Sequence, residues 1–139
     1  MTTSSNIGSP VKVSVETFYV EGQSQPELEK YVFAYSVTIK NHSLCSAKLL
    51  SRYWLITDAN GKQVEVEGEG VVGEMPDIGP GESYKYTSGA ILDTPVGTMQ
   101  GHYTLRNEFG SEFQAPINVF RLACLTFCIK HLDGRLCDR

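Results

Sequence analysis

Along most of this chain, apolar and polar residues alternate with a period of two, and this alternation constrains the fold more than any other feature of the sequence. In YVFAYSVTIKN (31–41), the aromatic and branched residues fall on one face, and Ala34, Ser36, Thr38 and Lys40 fall on the other. Because successive side chains of a β-strand point to opposite faces, such a stretch predicts a half-buried antiparallel strand.

Seven stretches carry this strand pattern, and residues that favour turns separate them. No apolar stretch repeats with the helical period for long enough to form the crossover helices of a parallel sheet, and QPELEK predicts at most one short turn. Seven short strands without helices predict an all-β domain built as a two-sheet antiparallel β-sandwich. The predicted strands are VKVSVETFYV, YVFAYSVTIKN, AKLLSRYWLIT, KQVEVEG, SYKYTSGA, TMQGHYTLRN and SEFQAPINVF.

The stretch AKLLSRYWLIT holds the single tryptophan and runs into the sequence DANG. Strict alternation predicts that the even-numbered residues from 50 to 56, Trp54 included, face the opposite side of the sheet from Leu49. A lone tryptophan on a central strand is typical of a sandwich core, so we expect Trp54 there. Asn60-Gly61 accepts positive φ and therefore favours a tight hairpin.

The length of 139 residues suits one domain, with the strand signals between residues 11 and 123. Residues 1–10 lack the basic and apolar regions of a secretory signal, so we expect a flexible leader there and a separate tail over 124–139. The longest apolar stretch, FRLACLTFCI, has about half of the roughly 20 residues that span a bilayer. We therefore expect a cytoplasmic protein with no membrane segment and with reduced cysteines.

The charge balance bears on the class of partner. A formal net charge of −4 and an isoelectric point near 5.3 give no basic field to attract nucleic acid or an anionic membrane. Neither is expected as a partner.

The segment Ile78-Gly-Pro-Gly-Glu-Ser-Tyr84 resembles the apolar-x-Pro-Gly-x-x-Tyr turn of fibronectin type III domains. In those domains a tyrosine hydroxyl bonds back to the main chain at a sheet corner. The resemblance implies structural roles for Pro80 in the turn and for Tyr84 at the corner.

Several longer motifs resemble those of one family. RYWLITDANGK, VEGEGVVGEMP, YTSGAILDTPVGTMQGHY and FRLA, in this order and at nearly these spacings, are similar to the ApaG family, also called CorD. The similarity runs from about Val11 to Ala123. After Ala123 the chain departs from the family pattern, because CLTFCIKHLDGRLCDR replaces a short proline-containing tail that ends in histidine.

The resemblance implies an immunoglobulin-like, fibronectin type III-like β-sandwich, in agreement with the strand pattern. It also implies an association with cobalt and magnesium efflux in bacteria and with genes for a diadenosine tetraphosphate hydrolase. In eukaryotes the domain is fused to F-box proteins and to a polymerase-delta-interacting protein. The family carries no catalytic residues over to this chain.

Gly68, Gly70 and Gly73 have the spacing G-x-G-x-x-G, which in other proteins wraps a dinucleotide pyrophosphate. The helix that should follow is missing, because MPDIGPG cannot extend one. The stretch from Val64 to Glu82 also contains six acidic residues and no Lys or Arg. We therefore favour glycines that permit positive φ in a long inter-strand loop, with a pyrophosphate or nucleotide ligand as the alternative.

The same acidic residues suggest a third interpretation, in which Glu67, Glu69 and Glu74 bind Mg²⁺ or Co²⁺ weakly. The stretch lacks the D-x-D-x-D-G order of a dedicated calcium loop. Solvated negative charge explains the acids without an ion, so no cofactor is required.

Other residues with ligand or catalytic chemistry are few. Cys124, Cys128, His131 and Cys137 offer four soft ligands for zinc, although their spacing is not that of a standard finger. His42 falls in a turn, and His102 is expected on the exposed face of a strand. Because no G-x-S-x-G, H-E-x-x-H or Cys/His signature is present, we predict no enzymatic activity and no catalytic residues.

The function that these observations favour is a non-enzymatic protein-interaction module whose partner is another protein. The alternative is a divalent cation or a phosphorylated nucleotide bound at the glycine loop. The expected contact surface is the glycine loop together with ILDTPVGTMQGHY. The chain is expected to be a monomer or a homodimer paired through the edge strand VKVSVETFYV, in which Lys12 and Glu16 discourage that pairing.

Overall fold

The structure is a computed structural model that describes residues 9–124, and it consists almost entirely of β-strands. All seven predicted strands are present, and an eighth, β5, is only two residues long. Two 3₁₀ turns, Glu21–Gln23 and Pro26–Leu28, separate the first two strands. The strands are β1 (Val11–Tyr19), β2 (Tyr31–Asn41), β3 (Ala47–Asp58), β4 (Gln63–Glu69), β5 (Asp77–Ile78), β6 (Ser83–Leu92), β7 (Val96–Asn107) and β8 (Glu112–Ala123).

The strands form two antiparallel sheets that pack face to face, which confirms the predicted sandwich. One sheet has the order β1-β2-β6. The other has the order β4-β3-β7-β8, and β5 pairs with the beginning of β3 beside β4. Most of the predicted leader and all of the predicted tail after Cys124 lie outside the described residues. Within residues 9–124 no helix is long and apolar enough to span a membrane.

The core lies between the two sheets and is centred on aromatic side chains. Trp54, 2% exposed, has its ring edge-on to the rings of Tyr35, Phe120 and Tyr103, at centroid distances of 5.4, 5.9 and 6.2 Å. Edge-to-face packing adds to the free energy gained by burying rings of this size. Other buried core residues are Val11, Phe33, Val37, Ile39, Ala47, Leu49, Val71, Ile78, Tyr86, Leu92, Met99, Leu105, Ala115, Ile117 and Leu122.

A β-bulge in β3 overturns one expectation about this strand. β3 pairs with β7 through Leu49 and again from Ser51 onward, and Leu50 between them is the extra residue. The bulge shifts the alternation by one position, so Leu49 and Trp54 both lie in the core, 0% and 2% exposed. The prediction that they face opposite sides of the sheet is therefore wrong, because strict alternation assumes an uninterrupted pleat.

Two hairpins share one turn design, in which the first residue is Asp58 or Asn107. In each, its side-chain oxygen accepts hydrogen bonds from the main-chain N–H groups two and four positions later, at 2.8 to 3.0 Å. A glycine three positions later, Gly61 or Gly110, has φ of 85° or 89°. This geometry confirms the hairpin predicted at Asn60-Gly61 and explains the choice of residues.

A buried asparagine links the end of β2 to its surroundings. Asn41 is fully buried, and its Nδ2 donates to the carbonyls of Cys45 and Ile78 at 2.8 and 2.9 Å. Its Oδ1 accepts from the N–H and the hydroxyl of Ser43 at 2.9 and 2.7 Å. All the hydrogen-bonding capacity of the amide is therefore used, which removes the cost of burying it.

Candidate functional site

The three glycines of the G-x-G-x-x-G spacing lie at the end of β4 and in the turn that follows it. Gly68 is inside β4, where it pairs with Arg52 of β3. Gly70 and Gly73 have φ of 63° and 83°, a conformation that favours glycine. A Cβ atom on Gly70 would lie 2.2 Å from the carbonyl oxygen of Glu74, so this position has no room for a side chain.

The turn after β4 is a tight two-residue hairpin, shorter than the long loop predicted. Val71 and Glu74 exchange hydrogen bonds between their N–H and carbonyl groups, at 2.8 and 2.9 Å. The two residues between them, Val72 and Gly73, have φ of 42° and 83°, as in a type I′ turn. For a β-branched residue such as Val72 a positive φ is an outlier, and this side chain is 55% exposed.

The geometry of this turn does not support the pyrophosphate interpretation of Gly68, Gly70 and Gly73. The N–H of Gly70 donates to the carbonyl of Leu50 at 2.8 Å, and the two hydrogen bonds of the turn use two further N–H groups. A phosphate nest needs such N–H groups free and convergent. The segment also continues into β5 rather than into a helix.

A cation that the local sequence does not contain reaches the glycines from β3. Nη1 of Arg52 donates to the carbonyls of Glu69 and Gly70 at 3.1 and 3.0 Å. The guanidinium lies across Gly68, where a Cβ atom would come within 2.8 Å of it. The first glycine of the motif therefore makes room for Arg52, whose donors point at main-chain carbonyls.

The three predicted metal ligands are not brought together. Glu67 and Glu69 are exposed on the outer side of β4, whereas the carboxylate of Glu74 accepts a hydrogen bond from the Tyr84 hydroxyl at 2.9 Å. Within residues 9–124, no group of three or more His, Cys, Asp or Glu side chains is arranged to hold a metal ion. Glu67 and Glu69 share one face of β4, whereas the turn after the strand places Glu74 beside Tyr84.

The Pro80 turn and Tyr84 connect β5 to β6. Pro80 is the second residue of a turn whose third residue, Gly81, has φ of 75°, and the closing hydrogen bond measures 3.0 Å, as in a type II turn. Tyr84 follows at the start of β6, half-buried. Its hydroxyl donates to the Glu74 carboxylate, whereas the fibronectin corner tyrosine bonds to the main chain.

A group of phenols lies between the sheets beside Arg52. The hydroxyls of Tyr86 and Tyr103 form a hydrogen bond with each other. Burial raises the pKa of Tyr86 to about 12 and raises the pKa of Tyr103 well above its ordinary value. Burial also raises the pKa of Tyr35. The positive charge of Arg52 offsets part of the increase in all three pKa values. These phenols therefore stay protonated near neutral pH.

The outer face of the larger sheet carries an aromatic stack beside β4. The rings of Tyr53 and His102 lie 5.1 Å apart and nearly parallel, and the Tyr53 hydroxyl donates to Oε2 of Glu65 at 2.6 Å. His102 therefore lies on the exposed face of its strand. A shallow groove of about 390 Å³ runs beside the stack, and its lining includes Ser51, Tyr53, Glu67, Glu69, His102 and Thr104.

The second expected contact segment, ILDTPVGTMQGHY, begins with a loop at the opposite end of β4 from Gly70. Thr94, in the loop after β6, accepts a hydrogen bond from the Ala59 N–H at 3.0 Å, and Asp93 pairs with Lys62 at 2.9 Å. These contacts dock that loop against the hairpin before β4, whereas Gly70 comes after it. The loop at the start of that segment is therefore separated from Gly70, whereas His102 near its other end lines the same groove as Gly68.

The remaining candidates add no catalytic constellation to the described part of the chain. His42 is exposed in its turn, and Cys45 and Cys124 are free thiols. The zinc hypothesis depends on Cys128, His131 and Cys137, which lie outside the described residues.

A known family model matches the central part of the sandwich, without β1 and β8. The family model described as ApaG domain matches residues 21–107, from the first 3₁₀ turn to the end of β7. The chain belongs to the ApaG domain family.

Curated relatives match a larger share of the chain than the family model does. The chain is 56% identical over 120 residues to Protein ApaG of Photobacterium profundum, with 86% of this chain and 94% of the relative covered. It is 57% identical over 121 residues to Protein ApaG of Escherichia coli O1:K1, with 86% and 97% covered.

Two solved structures share this fold and about half of the aligned residues. A crystal structure from Bordetella pertussis described as an ApaA protein is 47% identical, with a TM-score of 0.80 and coverage of 83% of this chain and 95% of that one. A structural-genomics X-ray structure is 54% identical, with a TM-score of 0.79 and coverage of 82% and 86%.

Sequence reasoning missed two of the residues that organise this ApaG site. Arg52 shares a face with Trp54 in the alternation, and an arginine on a core-facing row is a signal that it has main-chain or carboxylate partners. The pairing of Tyr103 with Tyr86 joins strands of different sheets, so no local pattern indicates it.

Proposed function

We propose that this chain is a non-enzymatic, cytoplasmic protein-interaction module that contacts its partner through the hairpin tip after β4. The observation that carries the proposal is Val72, an exposed apolar residue held at φ of 42°. The free thiols of Cys45 and Cys124 are consistent with a reducing compartment.

The strain at Val72 is a cost to folding that another residue would avoid. Asn, Asp and Gly are the residues that favour the first central position of a type I′ turn. A valine there costs about 1–3 kcal/mol in backbone strain and gains little burial, since 55% of it stays exposed. Strained backbone positions cluster at active sites, ligand clamps and switch regions.

The tip is also held rigidly, which favours binding. Arg52 ties the strand before it through the carbonyls of Glu69 and Gly70. The bond from Tyr84 to Glu74 ties the strand after it. A preorganised tip that exposes Val72 and Met75, at 55% and 40%, loses little entropy when a partner covers it.

The test separates folding from binding by a substitution that should affect them in opposite directions. Val72→Asn relieves the strain, so the free energy of unfolding should rise by about 1 kcal/mol. The same change removes the exposed isopropyl group, so capture of the natural partner by the immobilised protein should fall. Both are measured on one preparation, by urea unfolding and by quantitative affinity purification.

Phe109→Asn is the matched control, because Phe109 is the exposed apolar tip of the other hairpin, at 75%. This variant should retain the partner. Equal partner recovery by wild type and Val72→Asn would overturn the proposal, and so would the absence of any protein enriched over a column without bait.

A further inference from the structure

The edge of the larger sheet at β4 offers main-chain groups to a partner. In the described part of the chain β4 pairs only with β3. Hydrogen bonds at its two ends establish which residues face β3: the N–H of Gly70 donates to the Leu50 carbonyl, and the N–H of Asp58 donates to the Lys62 carbonyl.

In an antiparallel pair, residues that face the partner alternate with residues whose N–H and carbonyl point away. Counting from Gly70 and from Lys62 gives the same alternation, with Val66 and Gly68 facing β3. The main-chain groups of Glu65, Glu67 and Glu69 therefore point away from the sheet.

These outward groups differ in availability. The carbonyl of Glu69 already accepts a hydrogen bond from Arg52 at 3.1 Å. Glu65 and Glu67 lie beyond the reach shown for that guanidinium, and they present N–H and carbonyl groups in the pattern that another strand would pair with.

The side chains at this edge specify the chemistry of the partner. Glu65, Glu67 and Glu69 lie on the outer face of the sheet, as does Tyr53, whose ring stacks on His102. A strand paired with β4 places every second side chain beside these carboxylates. Lysine or arginine at those positions complements them, and an arginine also stacks on the exposed aromatic pair.

We propose that an extended segment of the partner protein, with basic residues at alternating positions, adds as a strand to the free edge of β4. This inference rests on the proposed function, because β4 leads directly into the tip that carries Val72. A second copy of this chain does not fit. Antiparallel pairing of two β4 strands about Glu67 would put six carboxylates on one face, and like charges opposite each other destabilise a pair.

The probe is a ten-residue synthetic peptide of alternating lysine and threonine, titrated into the full chain at low salt while backbone amide signals are recorded. We expect saturable shifts along β4 and slower hydrogen exchange at the N–H groups of Glu65 and Glu67. A peptide with glutamate in place of lysine should not bind. Added salt should weaken binding, because the charges are exposed.

Two variants test the two parts of the inference. Glu67→Pro removes an outward N–H, which an edge strand tolerates, and should abolish the exchange protection. The triple variant E65Q/E67Q/E69Q should weaken the peptide about tenfold, from three lost cross-strand charge pairs. E16Q/E27Q/E29Q, which removes the same charge away from β4, should leave affinity unchanged.

The outcomes distinguish this inference from the proposed function. Peptide binding that survives the triple variant, or no binding at all, overturns the β4 inference even where Val72→Asn still loses the natural partner. If Glu67→Pro does not fold, the triple variant and the exchange data on wild type decide the matter. Loss of the peptide by the triple variant, with retention by its control, supports the inference.

Discussion

The phenol hydroxyls of Tyr86 and Tyr103 are hydrogen-bonded to each other across the interior, which joins β6 of one sheet to β7 of the other. Tyr86 is 9% exposed and Tyr103 is 0% exposed. Each buried hydroxyl thus has its partner in the opposite sheet, and this hydrogen bond connects the two layers directly.

Removing both of these hydroxyls should lower the free energy of unfolding by less than the sum of the two single removals. Tyr86→Phe or Tyr103→Phe leaves a buried hydroxyl without its partner, which costs about 1–3 kcal/mol. The double variant leaves no hydroxyl unsatisfied, so its loss should be well below the sum of the single losses. Urea unfolding of the four proteins measures this coupling, and strict additivity would show that the bond has no energetic role.

Alkaline pH should destabilise the fold through the same residues. An unfolded tyrosine loses its proton near pH 10, whereas Tyr86 in the fold holds its proton to about pH 12 and Tyr103 is shifted in the same direction. The folded state thus binds more protons above pH 10. Stability is complete below that pH and should fall between pH 10 and 12 by about 1.4 kcal/mol per pH unit for each group.

The measurement is the free energy of unfolding from pH 8 to pH 12 for wild type and for Tyr86→Phe/Tyr103→Phe. The double variant controls for other groups that titrate in this range. Parallel curves for the two proteins would contradict the prediction.

Gly70 and Gly73 should respond differently to alanine. Both have positive φ, which costs an alanine about 1–2 kcal/mol. At Gly70 the added Cβ would also lie 2.2 Å from the Glu74 carbonyl oxygen, whereas at Gly73 nothing lies within 4 Å. Gly70→Ala should therefore cost clearly more than Gly73→Ala in thermal unfolding. Equal losses would mean that the main chain at Glu74 moves away freely.

Asn41→Asp should destabilise the fold by about 3 kcal/mol. A carboxylate cannot donate to the carbonyls of Cys45 and Ile78, and it places an uncompensated charge in a fully buried position. Asn60→Asp makes the same chemical change in an exposed turn and should change stability by no more than about 0.5 kcal/mol. A stable Asn41→Asp protein would show that this network is dispensable.

The strands could be predicted because alternation is a local signal, as the 31–41 stretch shows. β5 could not, since Asp77–Ile78 is a strand only through its pairing with Ala47 and Lys48. The face of the sheet on which Leu49 lies could not be predicted either, because the bulge is defined by the register between β3 and β7.

At the candidate site, the glycine spacing located a constrained turn but not its use. All the charged residues around the glycines are acidic, and the positive charge that lies across Gly68 comes from Arg52 on the neighbouring strand. The hydrogen bond from Tyr84 to Glu74 could not be predicted either, because no local pattern indicates it. Contacts between segments distant in sequence decided each of these points.

At Leu50, the extra residue of the β3 bulge, the presence of a residue is more important to the fold than which amino acid it is. A different amino acid there alters a half-buried contact. Deleting this residue would instead move every side chain between that point and one end of the strand to the opposite face of the sheet. Either Trp54 would turn toward water or Leu49 would leave the core. Members of this family should therefore tolerate many different amino acids at this position but almost never a deletion.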